Sequence, residues 1–588
     1  MVTEFVEDVK QQEVVTQISE PLTKKATDDS VDSEMNDYIS KFLDMSNNAR
    51  DTDSKEKHMS LAEGIKTFPK AAFWSVVLST ALIMEGYDTN LINSFYGFPA
   101  FTKKYGEYYP ESDSYEVPTK WQTSISMAIY CGEVLGLYLA GIMADRIGYR
   151  KTLINALIAL TAFIFVIFFS SYIETPYTAR AVLLTGYILV SIPYGFFQTL
   201  TLSYAAEICP LVLRIYLTTY VNMCWVFGQL ISSGILRGFV GSSSESAYKI
   251  PFAIQWAWPV PIMIGIYLAP ESPWWLVKKG KLKEAKHSLT RLLTENEHLP
   301  SKDLLATAMV EKMQMTYKEE ELFKQRNSAS YADCFKGSDF RRTRIACMVW
   351  LTQSITGASL MGYSTYFYIQ AGLSTNMSFT FSIIQYVLGL IGTVGSWFLS
   401  QKVGRFSIYF YGLCAMFTIL VIVGGLGCSS DPNASWGIGS LLLIFTFVYD
   451  LTIGPICYCL VAEMPTARLR TKTIILARNT YNIAGIVTSI ISPYMLNPTA
   501  WNWKAKTGFF WSGFAFFCAI YCWFDLPETK NRTFAELDIL FNTGVPARKF
   551  KKTQVNVFDT GDMMEKLGDE GIKNMMVQHN EVVETEKA

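Results

Sequence analysis

Charged residues are scarce in this chain, and that scarcity limits its class. Only 18% of its 588 residues are Asp, Glu, Lys or Arg, against about 25% in an average soluble protein. The 51 basic and 52 acidic residues nearly cancel, whereas 50% of the chain is hydrophobic and the mean hydropathy is +0.19. This composition excludes a soluble enzyme and a nucleic-acid-binding protein. It predicts an all-α, polytopic membrane protein that is surrounded by the lipid bilayer.

The chain also lacks the patterns that build metal and cofactor sites. Its eleven cysteines are odd in number, lie mostly in apolar runs and have no CxxC-type spacing, so we expect small buried side chains and no secreted disulfide scaffold. The four histidines fall in polar segments. There is neither a phosphate-binding loop for ATP nor a nucleophile beside a base. We therefore predict no enzyme activity, no cofactor and no metal. If protons cross this membrane, a carboxylate must carry them.

Apolar stretches of membrane-spanning length recur along the chain and predict twelve spans. They lie near residues 73–97, 121–144, 152–172, 180–206, 216–240, 252–269, 345–371, 377–401, 407–427, 437–462, 473–496 and 507–525. The expected organisation is a disordered acidic tail (1–70), a six-helix half (71–269), a central loop with short amphipathic helices (270–344), a second six-helix half (345–526) and a C-terminal tail (527–588). The first tail has no apolar run near its start, which argues against a signal peptide.

Lysine and arginine in the loops predict the orientation of the chain. Basic residues concentrate in the central loop and in the loops after even-numbered spans, for example at Arg146, Lys151, Lys402, Arg468 and Lys472. Loops enriched in this way face the cytosol. We therefore expect both tails to be cytosolic in a multi-pass plasma-membrane protein.

Three motifs recur in the same order at nearly the same offset, which indicates an internal duplication. The glycine of DRIGYRK matches the glycine of QKVGRFS, 256 residues later, and EICPLVLR at Glu207 matches EMPTARLR at Glu463, also 256 residues later. PESPWW at Pro270 matches PETKNR at Pro527, 257 residues later. The membrane part is thus expected to consist of two pseudo-symmetric halves, with substrate bound between them near mid-membrane.

These motifs resemble those of the sugar porter family of the major facilitator superfamily, over roughly residues 70–545. The family motifs are DRIGYRK after span 2, PESPWWLVKKGKLKEA after span 6, VGR after span 8, EMPTARLRTK after span 10 and PETKNRTFAELD after span 12. The stretches EGYDTN, SYAAEICPLVLRIYLTTY, GASLMGYSTYFY and KTIILARNTYN further resemble fungal maltose/α-glucoside permeases. The resemblance implies the major facilitator fold, alternating access, and symport of a maltose-like disaccharide with a proton.

Ionisable residues within the spans are candidates for proton coupling, because charge at bilayer depth is costly unless it is paired or hydrated. Glu85 and Asp88 share one face of span 1, Glu133 lies in span 2, and Arg478 lies in span 11. The resemblance places the proton-binding aspartate at Asp88. Span 4 lacks the arginine that often accompanies this aspartate in the family, so Arg478 is expected to be the counter-ion shared by the acids. Alternatively, Arg478 pairs only with Asp450 of span 10, or the charges form a purely structural ion pair.

Neutral amides and aromatic rings are expected to line a sugar site, because amides both donate to and accept from hydroxyl groups. The resemblance places sugar contacts at Asn222 and Gln353. It also places small or smaller side chains at Ser354, Ser359 and Tyr458, which would leave room for a second glucose ring. The predicted substrate-binding residues are Asn222, Gln353, Ser354, Ser359, Tyr363, Tyr458, Tyr481 and Asn482, with Gln229, Tyr366 and Gln385 as further candidates. For each, hydrogen bonding between helices is the alternative.

A repeated set of acids and bases is expected at the cytosolic ends of the spans. The predicted gate residues are Arg150, Glu207, Arg214 and Glu271 in the first half, and Arg405, Glu463, Arg470 and Glu528 in the second. The resemblance implies that these sets bridge the two halves when the cytosolic side is closed. A few such contacts can bias two states of similar free energy. Ordinary enrichment of positive charge on the inner side is the alternative.

Two other functions remain open from the sequence. A passive hexose uniporter would not need Asp88 and Glu85. A sugar sensor that does not transport would carry a long cytosolic signalling tail, whereas only residues 527–588 follow the last predicted span.

Overall fold

The computed structural model describes residues 61–109, 114–242, 244–295, 301–324, 330–370, 373–429, 434–496, 501 and 503–555. The predicted disordered tail thus lies almost entirely outside the described residues, and so do residues 556–588 of the C-terminal tail.

Helices form nearly all of the described chain, because backbone polar groups in lipid must be paired within the segment itself. In the first half, span 1 is Pro69–Ser79 with Ala81–Phe95, and spans 2 to 6 are Thr119–Ile147, Tyr149–Ser170, Pro176–Ile208, Leu211–Phe239 and Ser246–Leu268. In the second half, spans 7 to 12 are Gly337–Gly362, Thr375–Lys402, Arg405–Leu426, Ala434–Glu463, Arg470–Leu496 and Thr507–Asp525.

Ten of these helices are long and apolar enough to cross a membrane by length and composition, and the other two predicted spans are also helical. Span 1 consists of helices of 11 and 15 residues, each shorter than the roughly 20 residues that a bilayer requires. Span 5 is 29 residues long but includes Arg214 and Arg237. The described chain therefore contains a helix at each of the twelve predicted spans.

The two halves pack in the same way, as the duplication predicts. Within the first half, span 2 packs along span 4 and span 1 along span 5; within the second, span 8 packs along span 10 and span 7 along span 11. The halves meet where span 2 lies against span 11 and where span 5 lies against span 8. These two interfaces are exchanged by the pseudo-twofold relation, so the space between the halves is enclosed by equivalent helices.

The two repeated glycines leave the space that the two repeated glutamates occupy. Gly148, between spans 2 and 3, has a φ of 89°, and a Cβ atom there would lie 2.6 Å from Glu271 Oε2. A Cβ atom at Gly404, the matching residue between spans 8 and 9, would lie 1.8 Å from Glu528 Oε2. Both positions therefore require glycine so that the carboxylate can approach the start of the next helix.

Span 7 is broken near its middle. A wide π turn over Ser354–Ala358 follows Gly337–Gln353, and Gly357 within it has a φ of 98°. Such turns interrupt the regular hydrogen-bond pattern and occur often at functional sites. The break places the polar residues of this turn against the space between the halves.

Short elements outside the spans complete the described structure. Glu107–Tyr109 and Ser114–Glu116 form a two-stranded antiparallel hairpin, in which Glu107 is opposite Glu116. This hairpin is an addition to the predicted all-α fold. The central segment contains the helices Pro273–Lys278, Leu282–Leu292 and Lys302–Lys324, in line with the expected short helices, and Phe534–Asn542 follows the last span.

Close packing of spans 1 and 5 generates a prediction about stability. A Cβ atom at Gly228 would lie 2.2 Å from the backbone oxygen of Ile83, whereas nothing lies within 4 Å of one at Gly234 in the same helix. We expect Gly228→Ala to lower the unfolding free energy by roughly 1–3 kcal/mol through overpacking. Gly234→Ala should leave it unchanged or raise it, since alanine favours helix. Thermal unfolding of both purified variants checks this, and equal midpoints would contradict it.

Candidate functional site

A large cavity lies between the two halves, at the middle of the spans and on the side away from the central segment. It encloses about 1220 Å³, including its part open to solvent. Its wall combines amides, hydroxyls, aromatic rings and a few charged groups from both halves. Such a wall suits a neutral ligand that carries many hydroxyl groups.

The structure brings most of the predicted substrate-binding residues together in this cavity. Those that line it are Asn222, Gln353, Ser354, Ser359, Tyr363, Tyr458 and Tyr481, with Gln229 and Gln385 from the further candidates. Asn482 does not line it: this side chain is fully buried, and its Nδ2 atom lies 3.5 Å from Gln198 Oε1. Tyr366 also lies outside the lining. Binding by the lining residues remains a prediction.

Trp350 of span 7 organises the aromatic part of the wall. The ring of Tyr458 meets it edge-on at 4.8 Å between centroids, and Tyr481 does so at 5.4 Å. The guanidinium of Arg478 lies 4.5 Å from the Trp350 ring and 4.3 Å from the Tyr481 ring. These rings hold the arginine side chain in place through cation–π contacts.

Gln198 of span 4 joins the buried arginine to the buried glutamate. Arg478 Nε donates to Gln198 Oε1 at 2.8 Å, and Gln198 Nε2 donates to Glu85 Oε1 at 2.5 Å. Arg478 Nη2 also lies 3.7 Å from Glu85 Oε1, which makes an ion pair between the halves. Glu133, 2% exposed, lines the cavity beside this group.

Asp88 occupies a separate pocket, and this corrects the expectation that Arg478 is shared by all the acids. Its carboxylate accepts hydrogen bonds from the hydroxyls of Tyr187 and Tyr194, each at 3.3 Å, and from Gln255 Nε2 at 2.7 Å. Among the described residues it forms no ion pair. Asp88 lies about one helical turn along span 1 from Glu85, at a level where its partners belong to spans 4 and 6 and not to span 11.

The alternative pairing of Arg478 with Asp450 was also wrong. Asp450 accepts a hydrogen bond from Asn222 Nδ2 at 3.0 Å, and no salt bridge to it occurs in the described ranges. Sequence patterns do not separate these choices, because the partner of Arg478 depends on the rotation of two helices about their axes.

Each half repeats one set of hydrogen bonds at its predicted gate. Glu271 Oε1 accepts from the backbone N–H of Tyr149 at 3.0 Å, and Glu528 Oε1 accepts from that of Arg405 at 2.8 Å. Burial raises the pKa of both carboxyl groups, and the backbone N–H groups oppose that rise. The Ser272 hydroxyl donates to Glu207, which places a second such contact in the first half.

The second half matches that contact with a different hydroxyl. Thr529 Oγ1 donates to Glu463 Oε2 at 2.5 Å, and Arg405 Nη2 lies 3.5 Å from Glu463 Oε1. Arg150 departs from this pattern, because its Nη1 donates to the Ala269 carbonyl at 3.4 Å. Most of these predicted gate contacts tie helices within one half, whereas Glu207 and Arg470, one predicted gate residue from each half, bridge the halves as the resemblance implied.

Several contacts cross between the halves at the predicted cytosolic end. Arg470 Nη1 lies 3.7 Å from Glu207 Oε1, and Tyr149 shares a 2.9 Å hydrogen bond with Thr471. Lys472 of span 11 forms an ion pair with Asp145 of span 2. The cytosolic end is closed by these contacts together with rings from the segment after span 12.

Phe534 supplies the principal ring of that closure. The Arg214 guanidinium lies 3.8 Å from its ring centroid, and the Arg470 guanidinium lies 4.0 Å from it. Because Arg214 belongs to the first half and Arg470 to the second, one aromatic ring holds a gate residue from each.

At the opposite end, two neutral contacts and one hydrogen bond from an arginine join the halves. Tyr386 donates to Asn90 Oδ1 at 2.8 Å, and Phe98 meets Phe379 edge-on at 6.1 Å between centroids. Arg237 Nε donates to the Thr380 hydroxyl at 3.2 Å.

Several lining residues were not predicted from the sequence. They are Thr89, Asn90, Asn93, Ser126, Tyr130, Tyr386, Thr446, Tyr449, Asp450, Thr488 and Ser489, among others. A usable signal exists for some of them: Ser126 and Tyr130 lie seven and three residues before Glu133, on one helical face. Extending each predicted face by one or two turns toward the outer end would have included them.

Comparisons with known proteins give a consistent result. The family model described as "Sugar (and other) transporter" matches residues 74–541. A maltose permease of Saccharomyces cerevisiae is 48% identical over 527 residues, which cover 89% of this chain and 84% of the permease. A general alpha-glucoside permease of the same organism is 45% identical over 542 residues, covering 92% of this chain and 86% of that protein.

Solved structures also match the fold. The proton:xylose symporter XylE bound to 6-bromo-6-deoxy-D-glucose aligns with a TM-score of 0.69 at 20% identity, covering 81% of this chain and 100% of XylE. An inward-open structure of the xylose transporter XylE from E. coli aligns with a TM-score of 0.59 at 20% identity, covering 79% of this chain and 98% of that one. The major facilitator fold that the sequence motifs implied is thereby confirmed.

The contacts at the predicted gate generate a prediction that can be tested by labelling Cys334, a cysteine of the chain itself. Asp145 contacts Lys472 across the halves and Lys278 within one half, the latter at 3.1 Å. Cys334 is fully buried at this end, and burial raises the pKa of its thiol, so it should react slowly while the end is closed. We expect Lys472→Ala to accelerate maleimide labelling of Cys334 in inside-out vesicles by up to about fivefold, the equivalent of one partly exposed ion pair.

Lys278→Ala is the matched control, because it removes a partner of the same carboxylate without loosening contact between the halves. Its rate of labelling at Cys334 should stay near that of the parent protein. Cys334→Ser should remove the lysine-dependent part of the signal and leave the labelling of the exposed Cys131 and Cys428. Equal acceleration by the two lysine variants would contradict the assignment of Lys472 to the closure.

Proposed function

Since the chain belongs to the sugar transporter family, we propose that it carries α-glucosides such as maltose across the plasma membrane together with protons. It is a multi-pass membrane transporter and not an enzyme, because the family and the relatives named above are transporters. The substrate class follows from the relatives' printed names and from the neutral, hydroxyl-binding wall of the cavity. Both tails are proposed to face the cytosol.

One observation carries the coupling proposal: the sugar cavity and a buried charged group share the same residues. Glu133 and Arg478 line the cavity, and Arg478 is joined through Gln198 to Glu85. A ligand that displaces or reorients Arg478 would therefore change the surroundings of Glu85. That connection provides a physical route by which sugar occupancy can alter proton binding.

Asp88 is proposed as the principal proton-binding residue. Its partners are two tyrosine hydroxyls and one amide, all neutral. Neutral donors stabilise a carboxylate less than a cation does, so the proton can be gained and lost without breaking an ion pair. Glu85, Glu133 and Arg478 are proposed to act with it, as a second acid group whose charge depends on the position of the halves.

Movement of the halves completes the proposed cycle. The contacts at the predicted cytosolic end favour a cavity open to the outside. The contacts at the outer end, which include Tyr386 to Asn90, would strengthen as the cytosolic end opens. Each set biases one of two states, and the proton and the sugar shift the balance by binding them unequally.

The substrate-binding residues are proposed to be those that line the cavity, with Asn222 and Gln353 contacting hydroxyls and Tyr458 and Tyr481 providing ring faces. Asn482 is proposed to act indirectly, by contacting Gln198. No cofactor is needed for this function, since the proton gradient supplies the free energy.

A direct test of the function is uptake of labelled maltose and of glucose in cells that lack their own transporters, with external pH recorded. We expect maltose uptake accompanied by alkalinisation of the medium. Glucose uptake without a pH change would favour a passive hexose uniporter. The absence of uptake of any glycoside, with the protein present at the membrane, would favour a sensor.

The proton-binding role generates a further prediction. Asp88→Asn keeps hydrogen-bonding capacity but cannot exchange a proton, so we expect it to retain maltose exchange and to lose accumulation of maltose against a gradient. Both are measured in proteoliposomes, with and without an imposed pH gradient. Glu107→Gln is the matched control, because Glu107 is a carboxylate outside the spans that pairs with Arg180 at 2.8 Å. Full accumulation by Asp88→Asn would remove the proposed mechanism.

A further inference from the structure

Asp450 is a carboxylate at mid-depth in the second half that neither the gate nor the proton-binding group uses. It lies within span 10, Ala434–Glu463, and is 4% exposed. It lines the cavity together with Asn222 and Gln353. An ionisable residue at this depth is retained at a cost in free energy, which makes a functional role the default interpretation.

The surrounding backbone leaves room for this carboxylate in one position. A Cβ atom at Gly389 of span 8 would lie 2.7 Å from Asp450 Oδ2, and one at Gly392 would lie 3.2 Å from Asp450 Cβ. A Cβ atom at Gly454 would lie 3.4 Å from Oδ1. Glycines on two spans thus shape a recess around the side chain, so its place in the cavity wall is determined by the fold.

Asp450 accepts its hydrogen bond from a neutral amide that belongs to the other half. Asn222 Nδ2, from span 5, donates to Oδ1 at 3.0 Å and lies 3.4 Å from the hydroxyl of Thr393 in span 8. In the part of the chain that the structure describes, no lysine or arginine pairs with Asp450. A carboxylate offers about four acceptor positions, and the amide fills one of them. This differs from Glu85, which has Arg478 within reach.

We propose that Asp450 is a specificity-determining residue that accepts hydrogen bonds from two neighbouring hydroxyls of one glucosyl ring, beside Asn222. The proposal deepens the proposed function and rests on it. Adjacent hydroxyls of a pyranose ring donate in nearly the same direction, and a carboxylate accepts both through its two oxygens. Hydrogen bonds to a charged acceptor are stronger than those to a neutral one. An amide at this position would present donors to the same hydroxyls and would accept fewer bonds.

Maltose exchange in proteoliposomes without a proton gradient tests this assignment, since exchange reports sugar binding without coupling. We expect Asp450→Asn to raise the half-saturating maltose concentration by at least about tenfold, the loss expected for charge-assisted hydrogen bonds. Proton movement per maltose at saturating sugar should stay unchanged. Exchange that is unaffected while accumulation under a pH gradient is lost would make Asp450 a proton carrier instead, and would overturn the proposal.

Monodeoxy maltoses identify the contacted hydroxyls. In the parent protein, an analogue that lacks one of the two should compete poorly with maltose. In Asp450→Asn, the same analogue should compete about as well as maltose, because the partner of the missing hydroxyl is gone. Analogues deoxygenated elsewhere should lose the same factor in both proteins. If every analogue behaves in that last way, Asp450 does not contact the ring.

A second variant keeps the carboxylate and displaces it. Gly389→Ala adds a methyl group 2.7 Å from Asp450 Oδ2 and should produce the same selective loss. Gly395→Ala in the same helix, whose methyl group would meet only the end of the Leu451 side chain at 2.9 Å, is the matched control. Thermal unfolding of each variant establishes that it is folded. A parent protein that exchanges no maltose would refute the proposed function, whereas normal parent exchange with unchanged Asp450→Asn affinity would refute this inference alone.

Discussion

The organisation of the membrane part depends on the cost of placing charge away from water. Every ionisable side chain in the spans must find a partner there or have access to the cavity, and the chain meets this demand with very few groups. Gln198 is the residue that joins two of these ionisable side chains, because its amide accepts a hydrogen bond from Arg478 and donates one to Glu85. Spans 1, 4 and 11 are therefore tied at one point, and that point lies between the two halves.

The internal duplication explains the repeated contacts at the two gates, but it does not explain the charged residues between the halves. The paired glycines, glutamates and hydroxyls at the two gates repeat with nearly the same contacts, as shown by Glu271 and Glu528 at the starts of spans 3 and 9. The charged groups of the cavity do not repeat. The first half contributes Glu85, Asp88 and Glu133, whereas the second contributes Arg478 and Asp450. The two halves have thus kept a common scaffold and acquired different roles.

The sequence predicts the spans, the duplication and part of the cavity wall, because these depend on composition, period and motif. It does not predict which buried polar side chains contact one another. Asp88 meets two tyrosines and Gln255 instead of Arg478, and Asn482 faces Gln198 instead of the cavity. In each case the outcome depends on the rotation of one helix against another, to which hydrophobic pattern is insensitive within a residue or two. Hydropathy predicts all twelve spans, including span 1, but it does not predict that span 1 is divided into two short helices.

The two ends of the transporter are closed by different kinds of contact. At the predicted cytosolic end Asp145 interacts with Lys472 and Lys278, of which Asp145 and Lys278 are partly accessible to water. The opposite end relies mainly on a neutral hydrogen bond and an edge-on pair of rings, with one hydrogen bond from Arg237 to a hydroxyl. Mobile ions weaken the first kind over a screening length of about 8 Å at physiological salt and barely affect the second. With both tails in the cytosol, as proposed, the resting orientation of the cavity should therefore depend more on the ionic strength of the cell interior than on that of the surroundings. Sugar uptake would then change little when the external salt concentration changes, because the cell controls its internal ionic strength.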